Sequence, residues 1–125
     1  MIINRDILEA FKKWKVSDDR KPILIQGARQ IGKTWVMEEF GRQCYDHYVK
    51  FDFDEQSELA SVFQTTKDPH RIIKELGLFS DVPLLPGKTL IIFDEIQECE
   101  EAMNSLKYFC ENAPEYHIIA AGSLL

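Results

Sequence analysis

Eight consecutive residues, Gly27-Ala28-Arg29-Gln30-Ile31-Gly32-Lys33-Thr34, constrain this chain more than any others. Pro22-Ile23-Leu24-Ile25-Gln26 ahead of them is short and apolar, as a buried strand is, and Lys33 to Arg42 behind them reads as a helix. The chain must therefore turn from strand to helix within a few residues. Gly27 and Gly32 let the backbone take positive φ and come close to a ligand. The spacing is G-x-x-x-x-G-K-[ST], in which successive N–H groups and a helix N-terminus surround an anion. On this reading Gly27, Ala28, Arg29, Gln30, Ile31, Gly32, Lys33 and Thr34 cradle nucleotide phosphates. Lys33 reaches the β- and γ-phosphates, and the Thr34 hydroxyl ligates Mg²⁺. Arg29 and Gln30 either touch phosphates or neighbours or point to solvent. The bland alternative for the whole stretch is a Gly-rich turn that caps a helix.

The rest of the chain alternates helix and strand. Ile7, Leu8, Phe11 and Trp14 recur at helical spacing and predict an amphipathic helix over residues 4 to 14. A second strand is expected at Tyr48 to Phe53. Asp54 is placed to cap a helix from about 55 to 65, and Asp68-Pro69 starts another, with the acid as N-cap and proline at the first helical position. Gly77 to Gly87 reads as a loop broken by Pro83 and Pro86. Thr89-Leu90-Ile91-Ile92-Phe93 is apolar and β-branched, as a fully buried strand requires. Glu98, Glu100 and Glu101 favour the positive end of a helix running to about Glu111, which Asn112 and Pro114 stop. His117-Ile118-Ile119-Ala120-Ala121 is a fourth buried strand. Strands separated by helices imply right-handed crossovers and a mainly parallel sheet covered on both faces, an α/β three-layer fold.

Two carboxylates, Asp94 and Glu95, follow the third strand directly. A parallel strand ends at the same face as a phosphate loop, which is where ligands bind in open α/β sheets. There Asp94 would hold Mg²⁺ through a water, because Mg²⁺ keeps much of its hydration shell. Glu95 would orient and deprotonate an attacking water. An acid beside a helix start is also a common cap, but one placed about sixty residues behind a phosphate loop favours catalysis. The fourth strand ends at Gly122-Ser123, where Ser123 is placed either to donate to the γ-phosphate or the attacking water, or simply to make a turn.

Composition narrows the field. The 125 residues suit one domain, residues 1–125, with a real core. A net charge of −6 gives no support for a face that binds a nucleic-acid backbone. No apolar run approaches the ~20 residues of a membrane span. Cys44, Cys99 and Cys110 show no C-x-x-C spacing, so reduced cysteines in the cytoplasm are expected rather than disulfides or a zinc site.

The stretches GARQIGKT, FDEIQ, LKYFCENAPEYHII and AGSLL, spread from about Lys21 to Leu125, resemble a family of bacterial and archaeal AAA-type P-loop ATPases. In that family the ATPase domain precedes a winged-helix segment and a C-terminal domain resembling restriction endonucleases. The resemblance implies that Gly27 to Thr34 are the Walker A loop, Asp94-Glu95 the Walker B pair, and Ser123 the sensor-1-like residue. By analogy with additional-strand P-loop ATPases, the strand order would begin at the strand at 22, followed by those at 117, 89 and 48. The family continues past AGSLL into a fifth strand and a helical lid that carry sensor-2 and arginine-finger functions. This chain therefore resembles an N-terminal part of that ATPase domain, with an exposed first-strand edge that favours self-association and with slow hydrolysis alone.

The expected function is Mg²⁺-dependent binding and hydrolysis of ATP, with ADP as product, coupled to conformational change. A protein or nucleic-acid partner is left unidentified. The rival readings are a nucleotide-binding module without significant hydrolysis and, further off, a small-molecule kinase. A GTPase lacks its Asn-Lys-x-Asp motif here, and the acidic balance argues against a helicase-like motor despite Asp94-Glu95-Ile96-Gln97.

Overall fold

Leu90, Ile91, Ile92 and Phe93 have no polar side chain to present to water, and all four are fully buried. They belong to β3 (Thr89–Asp94), a strand with neighbours on both sides. In the computed structural model, which describes residues 2–28 and 33–124, the chain runs α1 (Ile2–Lys15), β1 (Ile23–Ala28), α2 (Lys33–Cys44) and β2 (His47–Asp52). A 3₁₀ turn, Ser57–Leu59, then leads into α3 (Ala60–Thr65), α4 (Pro69–Leu76) and β3, and α5 (Glu100–Asn112) and β4 (His117–Leu124) complete the order. Among the described residues the sheet has four strands, all parallel, in the order β1-β4-β3-β2. This is the expected order, and β1 and β2 lie at its edges.

Alternation along the central strands sorts the core into two layers. Leu90 and Ile92 of β3, with Ile119 and Ala121 of β4, face α1 and α2, where Phe11, Val36, Met37 and Phe40 close the layer. Ile91 and Phe93, with Ile118 and Ala120, face α3, α4 and α5 through Phe63, Ile72, Leu76 and Phe109. Aromatic rings interlock in both layers. Phe11 lies 5.2 Å from Phe40, and Phe93 meets Phe53, Phe63 and Phe109 at 5.6–6.4 Å. Each such fully buried side chain is worth about 1.5–3 kcal/mol of transfer free energy.

Several local readings shift. α1 extends the helix read at residues 4 to 14 at both ends. Asp54 does not cap the next helix. Asp52 draws the backbone into a turn instead, its Oδ1 accepting from the N–H groups of Asp54 (2.9 Å) and Glu55 (3.2 Å), so α3 starts only at Ala60. Asp68 does cap α4, its carboxylate accepting from the His70 N–H at 3.1 Å with Pro69 as the first helical residue. β4 does not stop at Ala121: pairing with β1 continues through Gly27↔Ser123 to Ala28↔Leu124. Gly27 and Ala28, read as loop, are strand residues. Among the described residues no helix is long and apolar enough to cross a membrane.

Candidate functional site at the strand tips

Parallel strands deliver their C-terminal ends to one edge of the fold, and three predicted elements meet there. The alternation that puts Leu90 and Ile92 on the α2 side also puts Asp94 there. Its Oδ2 accepts a hydrogen bond of 2.9 Å from Oγ1 of Thr34, in the first turn of α2. Asp94 is 6% exposed. Sixty residues of sequence thus close to one hydrogen bond between the first turn of α2 and the acid that ends β3. Lys33 Nζ donates to the Gly122 carbonyl of β4 at 3.0 Å. Of the expected phosphate-binding residues, Gly27 and Ala28 end β1, Lys33 and Thr34 open α2, and Arg29, Gln30, Ile31 and Gly32 lie outside the described residues.

Glu95 leaves the strand in a left-handed conformation, φ 53° and ψ 44°, and is the one non-glycine residue with positive φ among the described residues. A bulky L-residue is uncommon there, and such conformations cluster at functional sites. The turn is held at its base by Asp94, whose Oδ1 accepts from the Glu95 N–H at 3.0 Å. Asp94 therefore uses one oxygen toward Thr34 and the other to fold its own neighbour. The Glu95 side chain swings toward β4, where its Oε1 accepts from Ser123 Oγ at 3.1 Å. Ser123 is buried and lies within β4 rather than in a turn after it.

Gln97, the last residue of FDEIQ, carries no expected role in the sequence, yet it sits among these groups. Its Nε2 donates to Glu95 Oε1 at 2.8 Å, and its Oε1 accepts from the Ser123 backbone N–H at 3.0 Å. Periodicity gives no signal for it, because residues Ile96–Glu98 form a 3₁₀ turn rather than a continuing strand or helix. Lys33, Thr34, Asp94, Glu95 and Ser123 are therefore brought together, with Gln97 added. A cavity of about 370 Å³ lies elsewhere, lined by Phe63, Ile72, Met103 and Tyr108 among others, and includes none of the predicted site residues.

Chemically, the cluster offers a lysine ammonium, a hydroxyl paired with a carboxylate, and a second carboxylate beside a hydroxyl. The first three suit a polyphosphate with a hard cation, since Mg²⁺ favours oxygen donors. The last pair suits a water molecule that must be oriented and deprotonated.

Residues 19–125 match a family described as AAA domain. Among solved structures, that of C. elegans PCH-2 is similar, with a TM-score of 0.56 and 11% identity over 98% of this chain. At that identity the likeness is one of fold. The chain spans 37% of the PCH-2 chain. No curated protein matches the chain.

Proposed function

The chain belongs to the AAA domain family, and we propose that it binds Mg·ATP and hydrolyses it to ADP and phosphate, coupled to a conformational change. The observation that carries this reading is the Thr34–Asp94 hydrogen bond, 2.9 Å long. It joins the start of α2, where the G-x-x-x-x-G-K-[ST] motif ends, to the first of two carboxylates at the end of β3. The motifs GARQIGKT and FDEIQ support placing the chain near the bacterial and archaeal AAA-type ATPases whose longer members carry an endonuclease-like domain.

Each residue has a proposed role. Gly27 to Thr34 wrap the phosphates with backbone N–H groups, and Lys33 exchanges the Gly122 carbonyl for β- and γ-phosphate oxygens. Thr34 Oγ1 and Asp94 are oxygen donors close enough to serve one hydrated Mg²⁺, Thr34 directly and Asp94 through a water, and this donor set fits the ion. When bound, Mg²⁺ neutralises charge on the β- and γ-phosphate oxygens. Glu95 takes a proton from water as the water oxygen bonds to the γ-phosphorus. The bond from the γ-phosphorus to the β–γ bridging oxygen breaks, and ADP leaves with that oxygen. Ser123 orients the water or the γ-phosphate from the tip of β4.

Phosphate release measured with Mg·ATP tests the reading. Glu95→Gln keeps the shape and removes the base, so hydrolysis should fall by roughly 10²-fold or more while nucleotide affinity holds. Unchanged hydrolysis in Glu95→Gln would remove Glu95 from the chemistry. Tight binding with no turnover in the wild type would leave a nucleotide-binding module, and ADP formed only with an added acceptor would indicate a kinase.

A further inference from the structure

The register of the sheet leaves a gap that one side chain fills. β3 pairs with β4 as far as Phe93↔Ala120, and β3 then turns away at Glu95 while β4 runs on to Leu124. Past that point β4 has β1 on one side, with Gly27 opposite Ser123, and no strand on the other among the described residues. The Ser123 N–H donates to the Gln97 side-chain carbonyl instead. The amide group of the same side chain donates to Glu95 Oε1 at 2.8 Å, and the Ser123 hydroxyl reaches that oxygen at 3.1 Å. Gln97, Glu95 and Ser123 form a closed ring of hydrogen bonds.

Two further details tie the ring to the rest of the site. The peptide joining Gly122 to Ser123 has its carbonyl occupied by Lys33 Nζ at 3.0 Å and its N–H occupied by Gln97. One peptide unit thus touches the phosphate lysine on one side and the glutamine that holds Glu95 on the other. Gly122 also has no side chain for a reason visible here: a Cβ would stand 3.1 Å from Gln97 Oε1 and 3.6 Å from Ile96 Cγ2. The glycine leaves room for the glutamine.

We propose that Gln97 is the positioning residue for Glu95. Its amide aims the carboxylate, and through the Gly122–Ser123 peptide it couples that aim to the state of Lys33. An amide serves here where an acid cannot, because both a donor and an acceptor are needed on one terminus. When Lys33 turns to a phosphate it releases the Gly122 carbonyl, the peptide is free to tilt, and Gln97 moves Glu95 with it. The inference rests on Glu95 being the water-activating base proposed above.

The test uses the chain with Gln97→Ala, Gln97→Glu and Gly122→Ala beside Glu95→Gln. Gln97→Glu preserves size and the acceptor for Ser123 but loses the donor to Glu95. Both Gln97 variants should lower kcat by about 10²-fold, the scale of a misplaced catalytic group, with KM and nucleotide affinity within about threefold of wild type. Gly122→Ala, which only crowds Gln97 Oε1, should fall between them and the wild type. A purely structural role would lower the melting temperature of both Gln97 variants and leave kcat of the folded protein unchanged. In nucleotide-free protein, the Gln97 side-chain amide resonances should shift in Glu95→Ala and in Lys33→Ala, a readout independent of turnover. Amide resonances unmoved by both substitutions overturn the proposal. So does normal kcat in both Gln97 variants when Glu95→Gln is inactive. Normal turnover in Glu95→Gln would instead defeat the functional reading beneath it.

Discussion

Thr34 and Asp94 show how much one hydrogen bond decides at the scale of single residues. Asp94 is 6% exposed and divides its carboxylate oxygens between the Thr34 hydroxyl and the Glu95 N–H. Replacing it by Asn keeps the shape and removes the negative charge that would hold Mg²⁺. Asp94→Asn should therefore bind ATP more weakly, with little gained from added Mg²⁺, whereas Glu95→Gln should show the wild-type response. Nucleotide titrations with and without Mg²⁺ check this, and an undiminished Mg²⁺ effect in Asp94→Asn would take the acid out of the proposed metal site. The meeting of most of these residues could be read in the sequence, since the spacing of Gly27, Gly32, Lys33 and Thr34 and the acids after an apolar run each point to the strand tips. Gln97 could not. Its role depends on the left-handed turn at Glu95 and on where β3 leaves the sheet, and neither feature leaves a periodic trace.

At the scale of elements, the site depends on how α2 is seated, because Lys33 and Thr34 are its first residues. Gly41, near the other end of α2, is buried against β2, and a Cβ there would lie 2.5 Å from Cβ and 2.7 Å from Cγ of Tyr48. Those atoms are fixed close to the strand backbone and cannot swing aside. Alanine gains about 1 kcal/mol of helix propensity over glycine, but overpacking on the order of 1–3 kcal/mol opposes it. Gly41→Ala should therefore lower the denaturant midpoint, and a raised midpoint would mean that helix and strand separate more easily than their contact suggests. Element types followed from the sequence, but their ends did not. Asp54 looked like a cap because it precedes a helical pattern, yet Asp52, two residues earlier, captured the turn's N–H groups first. Likewise Gly27 and Ala28 read as loop by composition, and only the register with Ser123 and Leu124 shows that the strand continues.

Across the whole molecule, the strand order β1-β4-β3-β2 came from the family resemblance, since no residue pattern within a buried parallel strand says which neighbour it takes. What ties the layers at the opposite end from the site is His117 at the start of β4, which is 6% exposed and shares a hydrogen bond of 2.6 Å between its Nδ1 and Tyr45 Oη. Burial first, then the positive charges of Arg20 and Lys15, lower its pKa from the usual 6.5 to about 4. Above pH 6.5 the ring is neutral in folded and unfolded chains alike and adds no pH dependence. As pH falls from 6.5 toward 4 the unfolded chain takes up a proton that the folded chain resists, so stability drops, by on the order of 3 kcal/mol. Denaturant unfolding at several pH values should show this extra slope in wild type and not in His117→Gln, and equal slopes would place the protonation elsewhere. The central claim is that the strand tips form a Mg·ATP site, and calorimetric titration of Mg·ATP into the wild type and Lys33→Ala tests it most directly. Saturable binding by the wild type is expected, weakened roughly 10- to 100-fold in Lys33→Ala as a charge-assisted phosphate contact is lost. Equal affinity in the two proteins would contradict it.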